Sequence, residues 1–84
     1  MSFLVYTKRG CPWCEDLMVF LNGKNIPFEE REVRGDKKYF DEMFALSKQA
    51  FAPTVVLGGE VFADTDKNEI ENVLISINAR FQQA

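Results

Sequence analysis

Cys11 and Cys14 are the two cysteines of this 84-residue chain, which has no histidine, and only Pro12 and Trp13 separate them. Thiols at this spacing can close a disulfide across one helical turn, and a thiolate at either can attack a disulfide elsewhere. As a structural staple the pair is poor, because so short a loop restrains little of the unfolded chain. A structural zinc site wants four ligands, so zinc would need a second chain. An iron–sulfur cluster shared between chains would likewise draw thiolates from outside. The spacing points to dithiol redox chemistry, which requires one sulfur to be both charged and reachable.

The flanking residues supply that setting. Phe3-Leu4-Val5-Tyr6-Thr7 reads as a strand, apolar enough to be central. Pro12 suits the first turn of a helix, where a missing amide costs nothing. Leu17, Met18 and Leu21 then recur at helical spacing with Cys14 on the same stripe, and Gly23 supplies an end. The cysteines therefore fall at a strand-to-helix junction. Free amides and the positive end of the helix dipole favour a thiolate at Cys11, Lys8 adds a cation if its ammonium turns inward, and Glu15 and Asp16 oppose both. Cys11 is the expected nucleophile, and the more buried Cys14 the expected resolving thiol. Trp13 is expected to be partly exposed and to touch substrate.

The rest of the chain builds the frame. The charged segment from Phe28 to Val33 reads as a strand at or near a sheet edge. Asp36 caps a second helix that buries Phe40, Met43 and Phe44, with Tyr39 widening the stripe; Lys37, Lys38, Asp41 and Glu42 take more exposed directions, and the helix ends near Ser47. Thr54–Leu57, Gly58-Gly59 and Glu60–Phe62 form a hairpin signal. Asp66 and Glu69 resemble a capping box ahead of a helix with Ile70, Val73, Leu74, Ile77 and Phe81 on one face. A right-handed crossover through the first helix makes the first two strands parallel, and the hairpin extends the sheet antiparallel. The reading is a single α/β domain over 1–84, with helices on both faces of a four-stranded mixed sheet. A net charge of -3 argues against a phosphate-backbone partner. No segment approaches the roughly 20 apolar residues of a membrane span, and the start MSFLVYTKRG lacks a secretory leader's basic region. A cytoplasmic monomer with no nucleic-acid or membrane partner is expected.

The run Val5-Tyr6-Thr7-Lys8-Arg9-Gly10-Cys11-Pro12-Trp13-Cys14 resembles the glutaredoxin family, and the likeness extends over nearly the whole chain. The resemblance implies a thioredoxin-like fold and reduction of protein disulfides and glutathione mixed disulfides, with glutathione as co-substrate and no tightly bound cofactor or metal. It assigns attack to Cys11 and resolution to Cys14. It puts a cis-proline at Pro53, lets the Ala52 backbone pair with substrate, and implies glutathione contacts at Lys8, Trp13, Thr65 and Asp66. The chain departs from the family pattern at Ala52-Pro53-Thr54, and at Ala63-Asp64 in place of a second glycine pair. Loss of that glycine would narrow the groove, and the charge on Asp64 would weaken an anionic ligand. Two rivals accompany this reading: a glutaredoxin-like hydrogen donor recharged by thioredoxin reductase and serving ribonucleotide reductase, and an iron–sulfur carrier or binding module.

Overall fold

The computed structural model describes residues 3–83, and side chains as far as residue 77, so Phe81 on the last stripe lies outside the described side chains. Seven elements follow in order: β1 (Phe3–Thr7), α1 (Pro12–Gly23), β2 (Phe28–Glu32), α2 (Lys37–Ser47), β3 (Thr54–Leu57), β4 (Glu60–Phe62) and α3 (Lys67–Gln83). The sheet order is β2-β1-β3-β4. The crossover through α1 leaves β1 and β2 parallel, with Val5 opposite Glu30 and Thr7 opposite Glu32. β3 runs antiparallel to β1, and the hairpin adds β4 at the far edge. Gly58 and Gly59 both have positive φ, at 56° and 88°, as a tight two-residue turn between twisted strands requires. The expected four-stranded mixed sheet with three helices is the observed one, with β1 central and β2 at an edge.

Alternation along β1 sends successive side chains to opposite faces. Phe3 and Val5 join Leu17 and Leu21 of α1, Val55 and Leu57 of β3, and Ile70 of α3 in one buried cluster. Tyr6 belongs to a second cluster with Val33 and Met43, flanked by Leu4, Tyr39, Phe40 and Val56. α1 and α3 therefore cover one face, and α2 covers the other.

Two local expectations change, at Phe44 and Glu42, whereas α1 ends at Gly23 as expected, with the left-handed position beyond it taken by Asn25 at φ 56°. Asparagine tolerates that conformation through its short polar side chain, and the Ile26 N–H closes onto the Leu21 carbonyl at 2.9 Å. Phe44 is 49% exposed rather than buried and stacks on Phe40 with centroids 6.4 Å apart. Met43 already fills the sheet-facing direction, and one residue further turns the side chain by about 100°. Glu42 is half-buried rather than exposed, because the buried phenol of Tyr6 donates to it at 3.0 Å and the Arg31 guanidinium pairs with it. A buried hydroxyl must find such a partner.

Asp36 caps α2 as expected, accepting the Lys38 N–H at 2.9 Å. Asp66 does the same for α3, accepting the Glu69 N–H at 2.8 Å. Lys37 is spent on an i,i+4 pair with Asp41. Among the described residues, no helix is long and apolar enough to cross a membrane. Leu17 joins α1 to the sheet with no exposed surface, so Leu17→Ala should cost about 2–5 kcal/mol of stability in urea unfolding. Val19→Ala, on the open side of the same helix, should stay within about 0.5 kcal/mol.

Candidate active site

β1 ends at Thr7, and the chain turns through Gly10, whose φ is 77°, before α1 begins. Cys11 is the N-cap of α1: its backbone is extended, and its sulfur accepts the Cys14 N–H at 3.2 Å. Sulfur thus takes the place an oxygen holds in an ordinary cap and accepts one amide of the first turn. Pro12 occupies the first turn, where the helix needs no donor.

The two sulfurs are unequal. Cys11 is partly exposed, whereas Cys14 is 1% exposed, and both are free thiols. Burial pushes the Cys14 thiol up to about 12. Its hydrogen bond with Cys11 and the charges of Cys11 and Glu30 act in the same direction, while the Lys8 backbone N–H opposes them. The expected division between an accessible and a sequestered thiol is the one observed.

The loop from Gln49 to Thr54 brings a second wall to Cys11. The Ala52–Pro53 peptide is cis, and the Cys11 thiol donates to the Ala52 carbonyl at 3.8 Å. Side-chain bonds hold this loop. The buried Thr54 hydroxyl donates to the Phe51 carbonyl at 2.9 Å and accepts from Gln49 Nε2 at 3.0 Å, and Gln49 Oε1 accepts the Phe51 N–H. From the other side, the Thr65 N–H donates to the Pro53 carbonyl at 2.8 Å. Thr65 is buried, and its hydroxyl donates to the Glu69 carboxylate. Thr65 therefore ties the cis-proline loop to the start of α3, and its side chain faces inward.

Trp13 is 62% exposed, as expected. With Asp16, Asp66, Lys67 and Asn68 it lines a groove of about 320 Å³ between the amino-terminal ends of α1 and α3. Asp64 has φ 49°, so the backbone keeps the left-handed turn that a glycine would take there. The Lys8 ammonium lies 5.9 Å from the ring centroid of Phe51, which is 61% exposed.

Cys11 thus contacts both Cys14 and Ala52, Thr65 is bonded to Pro53, Trp13 and Asp66 share a groove, and Lys8 stands over Phe51 of the cis-proline loop. Sequence reading missed Phe51, whose only signal is an aromatic residue two places before Pro53. It also missed Thr7 and Glu30, since Thr7 looked like the end of a strand and Glu30 like the mark of a sheet edge. Among the described residues, no group of three or more His, Cys, Asp or Glu could hold a metal ion.

A dithiol at a strand-to-helix turn, facing a cis-proline loop, defines a thioredoxin-like redox fold. Residues 3–62 match the glutaredoxin family model, and the chain belongs to the glutaredoxin family. It is 34% identical over 70 residues to an uncharacterized glutaredoxin-like 8.6 kDa protein in the rubredoxin operon of Clostridium pasteurianum, covering 83% of this chain and 93% of that one. It is 26% identical over 62 residues to glutaredoxin 3 of Escherichia coli, covering 74% and 75%. Among solved structures, the thioredoxin-like protein BC3987 superposes with a TM-score of 0.77 at 30% identity, covering 84% of this chain and 97% of that one.

The inequality of the thiols is testable. Iodoacetamide at neutral pH should label Cys11 and spare Cys14 in the folded protein, and label both in urea, read by mass spectrometry. Because the folded-state value of Cys14 lies above the ordinary 9.0, the stability gained by keeping it neutral is complete below that pH and is lost as pH rises towards about 12. Cys14→Ala should remove that part of the alkaline fall in melting temperature.

Proposed function

We propose that the protein is a dithiol thiol–disulfide oxidoreductase that takes its electrons from glutathione. The observation that carries this reading is the 3.2 Å bond from the Cys14 N–H to the Cys11 sulfur, which keeps a reachable thiol and a buried one at the same helix mouth. The Cys11 thiolate attacks a substrate disulfide. A bond forms between Cys11 and one substrate sulfur, the substrate S–S bond breaks, and the departing thiolate takes a proton from solvent. Either the Cys14 thiolate or glutathione then attacks the mixed disulfide. After attack by Cys14, two glutathione molecules return the enzyme to its dithiol and leave as glutathione disulfide. Sulfur carries both electrons throughout, so the reaction requires no resident cofactor.

Backbone amides at the start of α3 suit the γ-glutamyl carboxylate, within the groove that Trp13 and Asp66 line. Lys8 suits the glycyl carboxylate at the other end, and the Ala52 backbone suits the substrate's peptide. This reading takes the protein to be a cytoplasmic monomer, in a compartment whose thiol pool is reducing. A second reading has thioredoxin reductase as the electron source and an enzyme such as ribonucleotide reductase as recipient. One observation favours it: the Thr65 N–H is committed to Pro53.

Reduction of a small glutathione mixed disulfide, coupled in parallel to glutathione reductase and to thioredoxin reductase, separates the two. Turnover with the glutathione system is expected, and turnover only with thioredoxin reductase would transfer the assignment to the second reading. Cys11→Ser should abolish transfer in either system. Cys14→Ser should retain reduction of the glutathione mixed disulfide and lose reduction of protein disulfides that need intramolecular resolution.

A further inference from the structure

Before Cys14 can attack, its thiol must lose a proton, yet the residue is buried. A cavity of about 200 Å³ behind the active-site turn reaches it, lined by Cys14 together with Thr7, Glu15, Glu30 and Glu32. A space of that size accommodates several waters, and the carboxylates on its lining give them partners.

The carboxylates lining the cavity are differently placed. The β2 alternation that buries Val33 and pairs Arg31 with Glu42 on the α2 face sends Glu30 and Glu32 to the α1 face, where Cys14 lies. Burial works against the Glu32 charge, but the backbone N–H groups of Arg34, Arg9 and Gly35 and the Arg9 guanidinium outweigh it and hold the carboxyl below its ordinary value. Glu32 is thus a loop staple and a weakened base. Glu15 sits in the first turn of α1. Glu30 is held by the Thr7 hydroxyl, itself buried, which donates its one proton to Glu30 Oε2 at 2.8 Å. Of the two cations on the lining, Arg9 is paired with Glu32 and the Lys8 ammonium lies over Phe51.

We propose that Glu30 accepts the proton of the resolving thiol, and that the cavity behind the active-site turn is its route out. The inference rests on the dithiol reading above. The Cys14 proton passes through cavity water to the Glu30 carboxylate. The sulfur's freed electron pair forms the bond to Cys11, the Cys11–substrate bond breaks, and the substrate thiolate leaves with that bond's electrons. Glu30 then returns the proton to solvent.

Glu30 also repels a thiolate at Cys14 by its charge, so two roles predict opposite results. Were the field its only effect, removing the charge would hasten resolution; as proton acceptor, its removal slows it. Reduced protein mixed with excess aromatic disulfide releases one aryl thiolate on Cys11 attack, in a second-order phase. It releases another on Cys14 attack, in a first-order phase independent of disulfide concentration. Glu30→Gln and Glu30→Ala should slow the second phase by roughly tenfold to a hundredfold, with the first phase as internal control. Added formate should restore the second phase in Glu30→Ala in proportion to its concentration. A second phase that is unchanged or faster in these variants, or slowed without any response to formate, overturns the proposal. If the unmodified protein shows no first-order second phase, the dithiol reading falls and takes this inference with it.

Discussion

The bond from the Cys14 N–H to the Cys11 sulfur fixes almost everything else about this site. It makes Cys11 part of the helix cap, so the more accessible of the two sulfurs is the one that satisfies an amide of the first turn. A helix cap cannot be moved without moving the helix. α1 is held by Leu17 and Leu21 against β1 and α3, and β1 is central in the sheet. The geometry of one sulfur is thereby referred to the hydrophobic core of the whole domain. Cys14, one turn further along the same helix, inherits the core-facing direction of Leu17 and Leu21, and the upward push on its thiol's pKa follows from that burial.

The two faces of the sheet divide the polar work. On the α2 face, Tyr6, Arg31 and Glu42 form a closed group in which the carboxylate serves a phenol and a guanidinium, and the Arg31 guanidinium also stands 5.5 Å from the ring of Tyr39. That group satisfies its own members and fastens α2 to the sheet. On the α1 face, Thr7 and Glu30 form a pair beside a cavity that also contains Cys14. Both arrangements come from β2, whose alternating charges looked in the sequence like the mark of an exposed edge. The edge position is real, yet each charge has a partner selected by the face it points to.

The frame of this protein was legible from its residues because each signal had one physical solution. Period-two apolar runs, helical stripes, two capping aspartates and a glycine pair fix seven elements, and the crossover rule fixes their order in the sheet. The Cys11–Cys14 spacing at a strand-to-helix turn located the reactive site for the same reason. What was not legible depends on competition for space. Whether Met43 or Phe44 faces the sheet is settled by how much room α2 has above it. The partners of Glu30 and Glu42 depend on which neighbouring strand and helix come near, and no local pattern encodes that. Phe51 was invisible because its place beside Lys8 arises from a loop shaped by Gln49 and Thr54.

Asp64 shows how a departure from a family pattern can alter charge while conserving shape. A glycine at this turn would be explained by the left-handed backbone, and Asp64 adopts that backbone at φ 49°. Aspartate tolerates the conformation better than most residues, since its carboxylate can engage nearby backbone groups. The expected narrowing of the groove is therefore not a backbone effect, and the added negative charge is left as the main consequence of the substitution. Asp16 and Asp66 put the same sign of charge along the neighbouring groove, where Lys67 offsets part of it. Their influence on an anionic tripeptide is long-ranged and screened by salt, whereas a neutral peptide segment on a protein partner would scarcely register it. Backbone shape thus conserves the turn beside Cys11, and the substitution changes the charge near it rather than the path of the chain.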